Sequence, residues 1–386
     1  MPGVSFSDNG GMTSASHSSD SAEPFEGLRI RGVAKTFGTD TTVLNEIDLD
    51  VHPGELISLV GSSGTGKSTL LRIIAGLEEP SAGRVTYAGQ PLERGSVGVV
   101  FQHPILYPHL SVKDNILFPT RLGAFAGRVD MDYYRELLEA LKLEGLESRK
   151  PSQLSGGQAQ RVGIARALIR RAPVVLFDEP LASVDEEMSA SIRADIVRLH
   201  ERYGFTGLYV THDQNEALML GQRVAVMDAG YLVQVDTPER LLAHPHTLQV
   251  AKLLAAPALN LVALEDSAVL PAGCELAIRA TALYPVAADA AHSLPVQVLG
   301  SRHLVGGMLY RARLLEAVSL PLESRRASAD SELSARMYAR VRAGQELEFF
   351  IPDAQGGTSL SVGDRVHLGV AAERCFLFSE GKRFYL

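Results

Sequence analysis

A chain of 386 residues is long enough for two or three domains. Hydrophobic residues make up 46% and charged residues 21%, a balance that permits a packed core and excludes wholesale disorder. The net charge of −8 and a pI near 5.8 argue against nucleic acid as the main partner, which calls for a basic footprint.

Residues 1–26 are rich in Ser, Gly and Asp, lack the apolar block of a signal peptide, and read as a disordered tail. From Leu28 to about Ala243, strand-like apolar runs alternate with helix-periodic stretches, the pattern of an α/β domain. Leu56 to Val60 is a β-prone run that enters a glycine-rich loop; Ser68 to Ala75 follows as a helix with Gly76 as its stop. Val97 to Phe101 reads as a strand, and Ser111 as the N-cap of a helix beginning at Val112. A helix is expected over Asp132 to Leu143, with Tyr134, Leu137, Leu138 and Leu141 on one stripe. Residues 174–178 and 207–211 read as buried strands flanking a long helix whose inner face carries Ile192, Ile196 and Leu199. Val224 to Val235 reads as a hairpin turning at Asp228-Ala229-Gly230. His244-Pro245-His246 then breaks the chain, and 246–260 reads as a linker with one helix near 247–255. Beyond Leu261, short alternating strands at 276–279, 296–299, 308–314, 346–351 and 365–370 suggest a small β-barrel, with 319–335 as a surface loop. No apolar run approaches the roughly 20 residues needed to span a bilayer. Cys274 and Cys375 lack metal-ligand spacing and read as reduced structural thiols.

Chemistry concentrates in the first domain. Gly61-Ser62-Ser63-Gly64-Thr65-Gly66-Lys67-Ser68-Thr69 is a complete G-x-x-x-x-G-K-S/T loop between a strand and a helix. Its glycines let successive N–H groups converge on phosphate, and the helix start adds its dipole. Lys67 supplies a positive charge to the β- and γ-phosphates, Ser68 a hydroxyl for Mg²⁺, and Thr69 reaches the α-phosphate. The apolar run Val174 to Phe177 delivers Asp178 and Glu179 to the end of a strand that faces the ligand crevice. Asp178 is expected to hold Mg²⁺ and Glu179 to polarise the attacking water. Gln102, after the strand 97–101, offers a neutral amide to Mg²⁺ or to that water, and His212, after the strand ending at Thr211, a donor to the γ-phosphate. Phe37 can stack on adenine. Leu154-Ser155-Gly156-Gly157-Gln158 reads as a second phosphate-binding helix start, with Ser155 as N-cap. Two such devices in one chain suggest an ATP site assembled from two copies. The helix 158–171 carries Arg161, Arg166, Arg170 and Arg171, of which the last two read as a solvated basic face.

The order of these motifs over residues 28–245 resembles the nucleotide-binding subunit of ABC transporters. The resemblance implies an α/β P-loop ATPase domain (27–245) with a helical subdomain at about 103–172. It makes 61–69 the Walker A loop, Gln102 the Q-loop, Leu154 to Gln158 the signature sequence, Asp178 and Glu179 the end of Walker B, Leu181 to Asp185 the D-loop, and His212 the switch histidine. Two departures are Phe37, where tyrosine is commoner, and Val184, where leucine is usual. Residues 261–386 resemble the OB-like regulatory (TOBE) domain of importer ATPases for sugars, glycerol phosphate, polyamines and sulfate. There the motif expected as G-I-R-P-E is reduced to Ala277-Ile278-Arg279-Ala280-Thr281. Ala256 to Leu261 and Leu106 to Leu110 resemble segments of the sugar importers, the latter in a region that meets the membrane subunits. An OB-like barrel can also bind nucleic acid, but 13 Lys/Arg against 14 Asp/Glu in 262–386 form no basic stripe.

The resemblance therefore implies an ATP- and Mg²⁺-dependent ATPase at the cytoplasmic face of the membrane. Its expected partners are a second copy or a similar ATPase subunit, integral-membrane permease subunits, and indirectly an extracytoplasmic solute-binding protein. A carbohydrate or related polyol phosphate is the expected solute, with a polyamine or inorganic anion as the alternative. A soluble ABC ATPase without membrane partners, or a sensory protein whose barrel binds an anion or partner, remain the rival readings.

Overall fold

The computed structural model describes residues 25–121, 129–265, 270, 273–322, 337–353, 359–371 and 374–384. Nearly all of the expected N-terminal tail lies outside them. Strands β1 (Leu28–Phe37) and β2 (Thr41–Val51) form a long antiparallel pair, followed by the wholly buried β3 (Leu56–Val60) and by α1 (Lys67–Ile74). Strands β4 (Ala82–Tyr87) and β5 (Gln90–Pro91) complete a four-stranded sheet in the order β2-β1-β4-β5. After β6 (Gly98–Val100) come three helices, α2 (Val112–Leu117), α3 (Met131–Ala140) and α4 (Gly156–Leu168). Then β7 (Val174–Asp178), α5 (Glu186–Tyr203), β8 (Thr206–Thr211), α6 (Gln214–Leu220), β9 (Arg223–Asp228) and β10 (Tyr231–Asp236) follow. The second sheet runs β10-β9-β3-β8-β7-β6, parallel except for β10 at its edge.

The unbroken apolar run in β7 has a direct cause. Val175 and Phe177 join one core with α2 to α5, while Val174 and Leu176 join another with α1 and the antiparallel sheet. A strand covered on both faces has no solvent side on which to place polar residues. The expected caps and turns are present: the Ser111 side chain accepts from the Asp114 N–H, and the β9–β10 turn places Ala229 at φ 45° and Gly230 at φ 83°. The helix expected over 132–143 instead starts at Met131, where Asp130 accepts from two backbone N–H groups, and ends at Ala140. Leu141 and Leu143 stay buried beyond its end, so the apolar stripe outlasts the helix.

Arg161 of α4 was read as part of a basic helix, yet it is buried and ion-paired at 2.9 Å with the fully buried Asp195 of α5, which also bonds Arg198. The pair fastens α4 to α5, the helix after β7. Removing Asp195 strands a buried guanidinium, so Asp195→Ala is expected to lower stability by about 3 kcal/mol, read as a fall in the thermal midpoint. A midpoint unchanged within error would show that the pair contributes nothing. Arg171 is also not simply solvated: it pairs with Asp130 at 3.0 Å and lies 4.2 Å over the Tyr133 ring.

A short helix, α7 (Pro238–Ala243), capped by Thr237, precedes the expected linker, and one helix, α8 (Leu248–Leu253), capped by Thr247, lies within it. The all-β domain begins inside the expected linker, with β11 (Leu259–Ala263). It continues through β12 (Glu275–Arg279), β13 (Leu283–Val286), β14 (Leu294–Leu304), β15 (Gly307–Leu314), β16 (Val318–Leu322) and β17 (Met337–Val341). Then come β18 (Glu346–Pro352), β19 (Arg365–Val370), β20 (Cys375–Ser379) and β21 (Lys382–Phe384). A sheet β13-β19-β14-β15-β18, a sheet β11-β12-β20-β21 and the hairpin β16-β17 enclose one core built on Ile278, Val296, Tyr310, Phe349 and Leu368. The surface loop expected at 319–335 is overturned at its start. Residues 319–322 belong to β16, where Leu320 is buried opposite Ala339 of β17, and 323–336 lie outside the described residues. The charges of 323–330 dominated that reading, whereas the strand before them carries its own apolar face. Cys274 and Cys375 are both free thiols, and Cys274 is buried in this core.

Candidate functional site

The parallel sheet brings the ends of β3, β7 and β8 side by side, and the candidate residues follow directly from those ends. At the end of β3, a Cβ on Gly61 would lie 2.3 Å from the Met227 carbonyl oxygen, so only glycine lets the loop pass β9. Gly66, at φ 97°, starts α1 with no side-chain cap. The first N–H groups of that helix are therefore left for an anion. Ser62, Ser63 and Gly64 are exposed at the loop's rim, Thr65 is buried with its hydroxyl donating to the Ser62 carbonyl at 2.9 Å, and Thr69 is half-buried.

Lys67 is buried, and its Nζ donates to the carbonyls of Gly61 at 2.8 Å and Ser62 at 2.9 Å. Burial pulls its pKa below the usual lysine range, against the opposing charges of Glu179 and Asp178. Asp178, at the end of β7, is pushed up by burial and by the Glu179 charge, and accepts from Ser68 Oγ at 3.4 Å. Lys67, Asp178 and Glu179 thus form one charge cluster, with one cation and two carboxylates. Ser68 and Asp178 are hard oxygen donors of the type that Mg²⁺ takes, so the residues present fit that ion.

Glu179 turns the backbone sharply. It adopts φ 45°, a left-handed conformation uncommon outside glycine, and its N–H donates to the Val210 carbonyl of β8 at 2.9 Å. This kink aims the carboxylate across to the next strand, where Glu179 Oε2 meets His212 Nδ1 at 2.9 Å. The His212 turn is held from below. Asp213 caps α6, and Thr211 Oγ1 donates to the buried Glu216 at 2.8 Å. Gln102 is exposed after β6, and its carbonyl accepts from Ser183 Oγ at 3.2 Å, which ties it to the segment after β7. Phe37 is 43% exposed at the end of β1, with Lys35 Nζ 4.9 Å from its ring centre. Ser183 lies inside the segment Leu181 to Asp185, and Glu216 four positions after His212; neither carries a role in the sequence reading, and polarity beside a motif is their only signal.

The expected N-cap at Ser155 is present. Ser155 Oγ accepts from the Gln158 N–H at 3.3 Å, and Gln158 Oε1 accepts from the Ser155 N–H at 3.0 Å, a reciprocal cap on α4. Gly156 is exposed with open space around it, whereas a Cβ on Gly157 would press within 2.5 Å of Met188. Asp185 caps α5 by accepting from the Met188 N–H at 2.9 Å, so its carboxylate first serves the fold. A cavity of about 550 Å³ opens beside Ser62, His212 and Asp228, and none of Leu154 to Gln158 lines it.

Residues 44–182 match the family model described as ABC transporter. The chain is 45% identical over 241 residues to the sn-glycerol-3-phosphate import ATP-binding protein UgpC 1 of Rhizobium johnstonii, covering 61% of this chain and 65% of that protein. It is 44% identical over 243 residues to UgpC of Yersinia enterocolitica, covering 61% of this chain and 67% of that protein. The chain thus spans about two thirds of the length of these relatives. Its fold is similar to that of cbiO1 from Clostridium perfringens, part of the ABC transporter complex cbiONQ, with a TM-score of 0.51 and 27% identity over 57% of this chain and 92% of that one. Motif order, strand-end geometry and these likenesses coincide, and the chain belongs to the ABC transporter family, among its import ATP-binding proteins.

Proposed function

We propose that the chain is the ATP-hydrolysing subunit of an importer and works as a pair of ATPase subunits that sandwich two ATP molecules. The observation that carries this reading is the 2.9 Å contact between Glu179 and His212 at the ends of adjacent strands, beside the buried Lys67. Glu179 orients water and accepts its proton, His212 keeps the carboxylate in place, and Lys67 offsets charge developing on the terminal phosphate. Ser68 and Asp178, together with Gln102, would hold Mg²⁺, which would supply further charge compensation. Phe37 offers an open aromatic face to adenine. The signature helix start is exposed at Ser155 and Gly156, which leaves it open to the partner subunit's nucleotide.

The names of the curated relatives favour a carbohydrate or polyol phosphate as solute. Among the described residues no helix is long and apolar enough to cross a membrane, so transport through the bilayer would fall to permease subunits. A groove lined by Leu77, Phe101, Ile105, Tyr107, Phe118 and Pro119, with Ile105 63% exposed, suits an apolar helix of such a partner. We place the chain on the cytoplasmic face of the membrane, the side on which ATP is available to an import ATP-binding protein.

Gly156→Asp tests the two-subunit pocket. The added side chain has room, yet its carboxylate sits where the helix start would meet the terminal phosphate. ATP hydrolysis is expected to fall by about 100-fold, with ATP affinity of the glycine loop retained. Wild-type turnover in this variant would show that the signature helix reads no phosphate.

A further inference from the structure

We propose that α8 transmits the position of the all-β domain to the His212 side of the ATP site, and that Lys252 and Gln249 are positioning residues for hydrolysis. This rests on the ATPase reading and adds to it a route by which the second domain sets the rate. The helix is only six residues long, but its three faces have three different neighbours. Val250 and Leu254 pack with Val60, the residue before the glycine loop, and with Ala217 of α6, the helix that follows His212. On the second face, Ala251 and Leu248 pack with Ala277, Phe376 and Phe378 of the all-β domain. On the third face, Gln249 and Lys252, with Val250 and Leu253 at the boundary to the first face, line the cavity of about 550 Å³ that also contains Ser62, His212 and Asp213.

Both ends of α8 are held by the all-β domain. At its start, the Leu248 N–H donates to the Gly381 carbonyl at 2.8 Å, and the Arg383 N–H donates to the His246 carbonyl at 2.9 Å. At its end, Arg279 of β12 donates to the Leu254 carbonyl at 2.5 Å and to the Leu242 carbonyl of α7 at 3.2 Å. The guanidinium caps two helix C-termini at once, the end where a cation is favoured. Its ring neighbour is Phe376, 5.4 Å away. Burial lowers its pKa to about 10, with the nearby Arg374 charge adding to the effect, so the contact is well removed from water. A shift of β12 therefore cannot leave α8 in place, and a shift of α8 moves a wall shared with the phosphate loop and the switch histidine. Close-packed elements pass on such displacements because their interior has little slack.

Lys252 contributes charge as well as shape. The cavity it lines also contains Asp213 and Asp228, which flank His212 and the end of β9. The Lys252 cation therefore shares this cavity wall with two carboxylates.

The test uses the full chain and steady-state ATP hydrolysis. Lys252 and Gln249 are exposed, so Lys252→Met and Lys252→Glu should fold normally. Each is expected to lower kcat by about fivefold or more, the glutamate more than the methionine, while KM for ATP changes by less than about twofold. Arg279→Lys, which keeps charge but loses the second donor arm, is expected to lower kcat similarly at a temperature well below its thermal midpoint. Combined with Lys252→Met it should add little, because both act through one helix. If both Lys252 variants keep wild-type kcat, or if the Arg279 and Lys252 effects simply multiply, the relay is refuted. Should Arg279→Lys fail to fold, the two Lys252 variants still decide the question. A wild-type chain without ATPase activity would instead overturn the functional reading itself, so the two failures are distinguishable.

Discussion

Glu179→Gln is expected to hydrolyse ATP about 10²- to 10⁴-fold more slowly than the wild type while still binding it. The amide has the shape of the carboxylate and can retain the contact with His212, so the kinked backbone at φ 45° has no new reason to relax. What it loses is the capacity to accept a proton from water. It also removes one negative charge from a cluster in which Asp178 is already pushed up by burial and by Glu179 itself. Nucleotide affinity is therefore expected to hold or rise, and a closed pair of ATP-bound subunits to persist. Steady-state ATPase measurements and size-exclusion chromatography with ATP check both parts. Turnover within about threefold of the wild type would mean that another group activates the water.

Lys67→Ala is expected to weaken ATP binding by about 100-fold or more. A buried, charge-assisted donor of this kind contributes about 3 kcal/mol, and 1.4 kcal/mol corresponds to a tenfold change in affinity. Two carbonyl contacts at 2.8 and 2.9 Å hold the ammonium inside the loop before any phosphate arrives. The loss therefore removes a pre-oriented charge and leaves those carbonyls without their donor. Lys67→Met, which keeps the aliphatic stem, separates charge from packing: it should lose affinity nearly as much while keeping the thermal midpoint closer to wild type. An unchanged dissociation constant by equilibrium titration would remove Lys67 from the phosphate site.

The nucleotide-binding domain was readable because its signals are local. A strand, a glycine loop and a helix within about 20 residues need no distant partner to be recognised, and caps such as Ser111 and Ser155 act on the N–H groups of their own helix. Signals failed where a residue's partner lies far along the chain. Arg161 reads as one of four arginines on a helix until Asp195 of α5 is found beside it. In sequence the charges of 323–330 outweigh the apolar alternation of Val318 to Leu322, whose partner strand, Met337 to Val341, lies beyond them. Strands β11, β13, β20 and β21 are short, and their burial depends on neighbours up to about a hundred residues away.

By itself the sequence determined the family and the order of its motifs, and it put forward Lys67, Asp178, Glu179 and His212 as candidate site residues, because each of these is set by residue type and short spacing. Only the tertiary structure decided that Glu179 is bent onto His212, that Arg161 is a buried structural cation, and that α8 is wedged between two domains rather than strung between them. Those features arise from contacts between segments that chain order keeps apart. Burial and pairing across such distances are properties of the packed sheet and its cores, which no short window of sequence contains.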